Sequence, residues 1–243
     1  MHPYRSLASR PILFSFRRCP YAISARLALA YCCIEYQTIE VNFKNKPKAL
    51  SLLSPKATVP VLFLPDTKQV IDESIDVVHW AIASALDYPS MTLASAHYTL
   101  ELTKPCFIEN NEYATIMNTR TVFIEQLNQL KFAKFSSQEE ENTMLHAQID
   151  LLTQWESIIG LHAPQYLLHA FSSLDILLLP TIRQWYRTPY GVSLESCPKL
   201  FRWLQWHMQS SIWQAVMKKP DAEQLTTSKA LAEHVYACIA STH

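Results

Sequence analysis

A cysteine directly before a proline separates two differently patterned segments near the start of the chain. The stretch FSFRRCPYAISARLAL, residues 14–29, begins with strand-like apolar residues and ends with apolar residues at helical spacing. Proline is favoured at the first position of a helix, so a helix that begins at Pro20 makes Cys19 its N-cap residue. The N–H groups and positive dipole end of that helix favour a thiolate, and Arg17 and Arg18 favour it further if either side chain points inward. We therefore predict that Cys19 is a nucleophile.

Two other interpretations of Cys19 follow from its residue type and its neighbours. Isolated cysteines are most often small buried apolar residues, and this alternative needs no chemistry. A dithiol redox site would need a second cysteine at position 22, where the chain has Ala22. Cys32 and Cys33 lie roughly 20 Å further along the same predicted helix. Any mixed disulfide on Cys19 must therefore be released by an external thiol.

A second chemical feature is the sequence ATVPVLFL, residues 57–64, in which Pro60 opens a predicted strand. Proline cannot donate a hydrogen bond to a sheet, so it is tolerated at the first residue of a strand, often as a cis bond in a tight turn. Such a turn leaves the main-chain N–H and C=O of Val59 available to pair with an incoming peptide backbone. A trans proline that merely begins the strand fits the sequence equally well.

A third feature is the acid–serine pair in IDESIDVVHW, residues 71–80. A helix that opens at Glu73 and Ser74 presents a hydroxyl and N–H groups to a carboxylate, and the Glu73 side chain can accept an ammonium group. An acid and a serine are also common as a plain helix cap. Together with Cys19 and Pro60, the pair describes a ligand that has a carboxylate and an amine at one end and a thiol in its middle. Glutathione has that layout.

Composition and charge remove several other classes of protein. The 243 residues are 49% hydrophobic and 17% charged, with 21 basic and 21 acidic side chains, so nucleic acid and an acidic membrane gain no support as partners. Two glycines are too few for a glycine-rich phosphate loop. The six cysteines and nine histidines lack metal-ligand spacing, so we predict no metal site. Without a span of ~20 apolar residues or a secretory signal, we predict a cytoplasmic protein with reduced thiols.

The periodicity of apolar residues divides the chain in two. Through residue 86 the predicted elements follow the order β α β α β β α, and beyond the sequence DYPSM every periodic segment is helical. The segment DYPS combines a proline with a shift in composition, which is typical of a linker. We predict an α/β domain over residues 10–86, a linker over 87–95 and an all-helical domain over 96–243.

These motifs together resemble those of the glutathione transferases. RRCPYAISARLAL, NFKNKP, TVPVL and IDES are similar to the cysteine-type, omega-like branch and its bacterial relatives. SSLDILLLPTIRQW, with Ser172 and Asp175 spaced as a capping box, is similar to the signature helix start of the family's helical domain. The resemblance implies a thioredoxin-like first domain, an all-α second domain and a homodimer. Ala57 is a departure, since relatives usually carry glycine there, and the glycine usual ahead of the capping box is also missing.

The resemblance also assigns roles to residues. Cys19 would form a mixed disulfide with glutathione or attack its adducts, Lys46 would approach the glycyl carboxylate, and Val59 would pair with the cysteinyl backbone. Most lysines near a helix start are solvated surface charges, which is the alternative for Lys46. The glutathione-binding set implied in this way is Tyr21, Lys46, Val59, Pro60, Glu73 and Ser74, with Tyr21 at the mouth of the site and the last two at the γ-glutamyl end.

The second substrate is less well specified. Phe107, Tyr113, Trp185 and Tyr186 are candidates for a hydrophobic pocket facing Cys19, although aromatic residues at helical spacing are more often core. The predicted function is glutathione-dependent thiol transfer, or reductive removal of glutathione from small adducts, with conjugation to electrophiles as a variant. The alternative is a non-catalytic binding or regulatory protein of the same fold, because a fold does not determine a function.

Overall fold

The computed structural model describes residues 10–86, 111–132, 134–159, 166–168 and 171–240. Their contacts form two compact units. The first unit holds the described residues through position 86 together with those from Ser211 onward, and the second holds the described residues between them, as far as Ser210. This division differs from the predicted one, because the last two helices pack with the α/β elements.

The first unit has the predicted order of strands and helices. Its four-stranded sheet has the order β2-β1-β3-β4, with β1 parallel to β2 and antiparallel to β3. This arrangement confirms the predicted thioredoxin-like domain. The elements are β1 (Ile12–Ser15), α1 (Pro20–Tyr31), β2 (Gln37–Glu40), α2 (Lys48–Leu53), β3 (Val61–Leu64), β4 (Gln69–Ile71) and α3 (Ser74–Leu86), followed later in the chain by α8 (Ser211–Met217) and α9 (Ala222–Ala240).

The central strands carry the core of this unit. Every residue of β1 and β3 is buried, as expected for continuous apolar runs covered on both faces. The register pairs Ile12 with Phe63 and Phe14 with Val61. These four side chains belong to one buried cluster that also contains residues of α2 and α9. Helix α9 thus covers part of the sheet that the α/β pattern alone leaves open.

All elements of the second unit among its described residues are helices, which confirms the predicted all-α class. It contains α4 (Asn111–Phe132), α5 (Gln138–Ile158), α6 (Ser173–Tyr186), a 3-10 helix (Pro189–Ser196) and α7 (Pro198–Gln209). Phe123 lies between two buried tryptophans, with ring centroids 4.9 Å from Trp155 and 5.7 Å from Trp185. The 3-10 helix and α8 were not predicted, and the helix predicted over 96–109 lies outside the described residues.

The capping box predicted at the start of α6 is present. Ser172 is the N-cap, and its main-chain N–H donates to the Asp175 carboxylate at 2.9 Å. The same carboxylate accepts hydrogen bonds from the Leu167 N–H at 2.9 Å and from the Trp203 indole at 3.0 Å. Asp175 therefore joins the start of α6 to α7 and to the preceding segment. Complete burial raises the pKa of Asp175 from 3.8 to about 6, although the hydrogen bonds from these donors act to lower it.

Asp175 is predicted to make stability fall as the pH rises from about 4 to 6. The folded state holds the proton with a pKa of about 6 whereas the unfolded chain releases it near 3.8, so folding is favoured at the acid end of this interval. The difference corresponds to about 3 kcal/mol. Urea unfolding followed by tryptophan fluorescence, for wild type and Asp175→Asn at several pH values, measures the effect.

The variant serves as the reference, because its amide does not titrate and other groups cancel in the comparison. The free energy of unfolding of wild type minus that of Asp175→Asn should decrease across this pH interval. A difference that increases with pH would mean that the hydrogen bonds to the carboxylate outweigh its burial.

Candidate functional site

Cys19 is the N-cap residue of α1, as its position before Pro20 predicts. Its backbone has φ −73° and ψ 122°, and its carbonyl accepts the Ile23 N–H at 2.9 Å. The side chain is partly exposed. The sequence produces this geometry because proline at the first helical position loses no hydrogen bond and holds a helical φ.

The electrostatic surroundings of Cys19 differ from the prediction. Burial raises the pKa of the thiol, and this effect exceeds the lowering by the main-chain N–H groups of Ala22 and Tyr21 and by the Arg26 charge. The expected preference for a thiolate is therefore wrong in direction. The helix N-terminus acts on the sulfur in the expected direction, but the loss of water around the thiolate has the stronger effect on its pKa.

The expected contribution of Arg17 and Arg18 is also absent. Arg17 donates to the Met217 carbonyl at 3.4 Å, and the Arg18 guanidinium lies 5.6 Å from the centre of the Phe16 ring. The cation that lowers the pKa of the thiol is instead Arg26. Its spacing of seven residues from Cys19 places both on one face of α1, which is the sequence signal that could have identified it.

Arg26 supports the segment that carries the cysteine. Only 5% of this residue is exposed. Its guanidinium donates to Ser15 Oγ at 2.5 Å and to the Arg17 carbonyl at 2.8 Å. These hydrogen bonds connect the end of β1 and the β1–α1 loop to the second turn of the helix. Arg26 therefore holds in place the main chain that precedes Cys19.

Val59 is the direct neighbour of the cysteine. The thiol of Cys19 donates to the Val59 carbonyl, with 3.7 Å between sulfur and oxygen. The bond between Val59 and Pro60 is cis, which decides between the two alternatives that the sequence left open. The proposed nucleophile thus contacts the main-chain group that was predicted to pair with a peptide.

Lys46 contacts the segment that precedes Val59 and Pro60. Its ammonium group donates to the Ala57 carbonyl at 2.9 Å and lies 5.5 Å from the centre of the Phe43 ring. Ala57 has φ 46°, in the left-handed region that favours glycine. The departure from glycine noted in the sequence therefore falls on a position where the main chain takes a conformation that suits glycine better.

Glu73 and Ser74 begin α3 as predicted, and the Glu73 carbonyl accepts the Val77 N–H at 3.0 Å. The Glu73 carboxylate forms an ion pair with Lys56, which sequence reasoning missed. Lys56 also lies 3.8 Å from Asp72. A protein ammonium group therefore occupies the carboxylate that was predicted to accept the ammonium group of a ligand.

The remaining predicted residues lie in different places. Tyr21 is 37% exposed, in the first turn of α1. In the second unit, Tyr113 shares a hydrogen bond with Ser173 at 3.2 Å, and the Tyr186 ring packs 5.8 Å from that of Phe201. Trp185 is fully buried there, and its indole donates to Ser193 Oγ at 3.2 Å. Phe107 lies outside the described residues, and the second-substrate pocket remains a prediction.

Four of the six predicted glutathione-binding residues belong to or contact one loop, residues 54–60, which we call the Ser54–Pro60 loop. Val59 and Pro60 lie in it, and Lys46 and Glu73 contact it. Successive positions of this loop bind different parts of the first unit. Ser54 Oγ donates to Asp72 at 2.7 Å, and Lys56, Ala57 and Val59 make the contacts described above. The loop thereby joins the α3 start, the segment before α2 and the α1 start, with the partners Asp72, Glu73, Lys46 and Cys19.

Among the described residues, no group of histidine, cysteine and acidic side chains has a metal-binding arrangement. Within the same part of the chain, no helix combines the length and apolar character needed to cross a membrane.

Comparison with known proteins gives a family match for part of the chain. Residues 18–83 match the family model of the glutathione S-transferase N-terminal domain. Comparison with the sequences of curated proteins finds no match. This match covers most of the α/β elements of the first unit, and the sheet order agrees with it.

Solved structures support the same fold at low sequence identity. The chain is similar to an Omega 3C glutathione transferase of Trametes versicolor, with TM-score 0.70, 18% identity and coverage of 90% of this chain and 93% of that one. It is also similar to a glutathione transferase of Pseudomonas putida with glutathione disulfide bound, with TM-score 0.68, 15% identity and coverage of 90% of this chain and 95% of that one. A third similar structure is the nitrogen regulation fragment of the yeast prion protein Ure2p, with TM-score 0.68, 14% identity and coverage of 89% of this chain and 99% of that one. The chain is also similar to the trimeric glutathione transferase TDR1 of Leishmania, with TM-score 0.62 and 17% identity. That match covers 93% of this chain but only 49% of the length of TDR1.

The positive φ of Ala57 generates a test of the loop geometry. Ala57→Gly is predicted to raise the free energy of unfolding by about 0.5–1 kcal/mol. The left-handed conformation costs a residue with a Cβ about 1–2 kcal/mol, and the greater freedom of glycine in the unfolded chain offsets part of the gain. Chemical denaturation of both proteins measures the change.

Ala83→Gly is the matched control, because Ala83 is exposed in the regular helix α3. The same chemical change should there lower the free energy of unfolding by about 0.5–1 kcal/mol. If both variants shift stability in the same direction, the assigned conformation of Ala57 is wrong.

Proposed function

We propose that this protein is a glutathione transferase that exchanges thiols through Cys19. The observation that carries the proposal is the contact between the Cys19 thiol and the Val59 carbonyl at the N-terminus of α1. A peptide that pairs with Val59 as an added strand would place its own side chain beside this sulfur. If that side chain is the cysteine of glutathione, the two sulfur atoms meet.

The proposed reaction has two balanced steps. The Cys19 thiolate attacks the glutathione sulfur of a mixed disulfide, which forms a disulfide between Cys19 and glutathione and releases the other thiol. A second glutathione thiolate then attacks that bond, which regenerates the Cys19 thiolate and yields glutathione disulfide. The external thiol is needed because Ala22 occupies the place of a resolving cysteine.

The raised pKa of Cys19 requires that substrate binding favour the thiolate. The thiol proton points to the Val59 carbonyl, and this bond exists only while the sulfur is protonated. A main-chain N–H of bound glutathione that donates to Val59 competes for that acceptor. The sulfur then keeps the N–H groups of Tyr21 and Ala22, which favour the charged form. Glutathione recognition and thiol activation are therefore coupled through one carbonyl group.

Two observations favour a second candidate, a non-catalytic binding or regulatory protein of the same fold. Burial raises the pKa of the proposed nucleophile, and Lys56 occupies the carboxylate of Glu73. The first feature lowers the reactivity of the site, and the second lowers its affinity for the ammonium group of glutathione. In this alternative Cys19 stays protonated with glutathione bound, so the pH dependence of its reaction separates the two candidates.

The first experiment mixes the reduced protein with the disulfide of glutathione and 2-mercaptoethanol in a single turnover without free glutathione. The rate of adduct formation should rise with pH and show a lower apparent pKa at saturating than at limiting disulfide, because bound substrate releases the thiol from Val59. Cys19→Ser should abolish the reaction. Cys33→Ser removes another exposed thiol of the same unit and should leave the rate unchanged.

Equal rates for wild type and Cys19→Ser would eliminate the proposed mechanism. Equal apparent pKa values at both disulfide concentrations would eliminate the coupling through Val59. Glutathione binding without adduct formation at any pH would establish the binding protein instead.

The ion pair between Lys56 and Glu73 generates a separate prediction. Lys56→Met should increase the affinity for glutathione by about two- to fivefold, because the ligand ammonium group no longer competes with a protein one and exposed ion pairs are weak. The affinity for N-acetylglutathione, which lacks that ammonium group, should not increase. Isothermal titration with both ligands measures the difference.

Lys68→Met is the control for net charge, since Lys68 is exposed in the turn between β3 and β4. It should leave the ratio of the two affinities unchanged. An equal gain for both ligands in Lys56→Met would show that Glu73 does not receive the ammonium group.

A further inference from the structure

A cavity of about 870 Å³ lies in the first unit, between the sheet, α2 and α9. Its apolar lining belongs to the buried cluster against which Cys19 also packs, but Cys19 does not line the cavity. Its size is within the range of small-molecule sites. One wall consists of sheet residues that include Ile12, Phe63 and Val70, and Leu52 and Leu53 of α2 adjoin them. Most of this wall is apolar, with Gln37 and Lys68 as its polar members, and Leu52 is 49% exposed at its edge.

Helix α9 forms the opposite wall. Its lining residues recur at helical spacing, with Leu231, Val235 and Ile239 contributing apolar side chains. On the same stripe, one turn apart, stand His234 and Cys238, and both are exposed. The cavity therefore combines apolar walls with two side chains capable of nucleophilic chemistry.

The two side chains are close enough to act together. Cys238 Sγ lies 3.6 Å from His234 Nε2, within reach for the thiol to give its proton to an unprotonated ring nitrogen. A thiol beside a general base is the usual arrangement of an activated cysteine nucleophile. The apolar walls select a ligand with a hydrocarbon chain, and the thiol–imidazole pair selects an electrophilic carbon.

We propose that Cys238 is a second reactive thiol, which captures apolar α,β-unsaturated carbonyl compounds bound in this cavity. The His234 imidazole takes the thiol proton, and the sulfur forms a bond to the β-carbon while the electron pair of the C=C bond moves toward the carbonyl oxygen. The imidazolium then returns the proton at the α-carbon. The S–H and C=C bonds become S–C and C–H bonds, and no external oxidant or reductant takes part.

The test compares two aldehydes that share the reacting group and differ in chain length, acrolein and trans-2-nonenal. Peptide mapping by mass spectrometry follows each cysteine of the full-length protein over time. Cys33 is the internal reference, because it is exposed at the end of α1. The rate ratio of nonenal to acrolein should be at least about tenfold higher at Cys238 than at Cys33, which corresponds to roughly two buried methylene groups.

Three variants separate the roles. His234→Gln should slow the reaction of Cys238 with both aldehydes by at least about tenfold and leave Cys33 unchanged. Leu52→Ser should reduce the advantage of nonenal at Cys238. Leu225→Ser should not, since Leu225 is an exposed leucine of α9 that does not line the cavity.

The same chain-length ratio at Cys238 and Cys33 would overturn the binding site. An unchanged Cys238 rate in His234→Gln would overturn the role of the imidazole. Neither result depends on the reaction at Cys19, so the proposal stands or falls independently of the proposed function.

Discussion

The Ser54–Pro60 loop is the constraint on which the candidate site depends. In seven residues its side chains and carbonyl groups bind the α3 start, the segment ahead of α2 and the sulfur at the start of α1. These three places are distant in sequence, and the sheet brings them to one end of the first unit. A change in the main-chain path at Ala57 would shift Val59 relative to Cys19. The loop thus determines both where a peptide could pair and what contacts the proposed nucleophile.

Two opposing effects act on the pKa of the Cys19 thiol. The helix N-terminus and Arg26 favour the charged form, whereas burial favours the neutral form and is the stronger effect. Val59 contributes to this balance, because its carbonyl accepts the proton that must leave. In the proposed function, a ligand that engages Val59 shifts this balance toward the thiolate. The proposed activation is local, and it makes the thiol reactive only when the glutathione site is filled.

Local sequence patterns predicted the parts of the fold that local rules determine. The proline after Cys19 fixed the N-cap of α1, and the spacing of Ser172 and Asp175 fixed the start of α6. The alternation of apolar segments gave the order of elements in the first unit. The position of α8 and α9 could not be predicted, because helical periodicity gives an apolar face and not the surface that this face covers.

The same distinction applies to the candidate site. Residue types and spacing predicted which residues carry chemistry, but not which charged groups these residues contact. The ion pair of Lys56 with Glu73 joins positions 17 residues apart, and its existence depends on the path of the loop. The pKa of Cys19 depends on how much water reaches the sulfur, and that follows from packing in three dimensions. Helix position alone gave the wrong direction because it contains no information on burial.

The most direct measurement of the central claim is the site of the protein's disulfide with glutathione. The reduced protein is incubated with glutathione disulfide, quenched with acid and mapped by mass spectrometry of its peptides. The account predicts that the glutathione adduct accumulates first on the peptide that contains Cys19, and that added glutathione removes it. An adduct that forms on the other cysteines while Cys19 stays reduced would contradict the account.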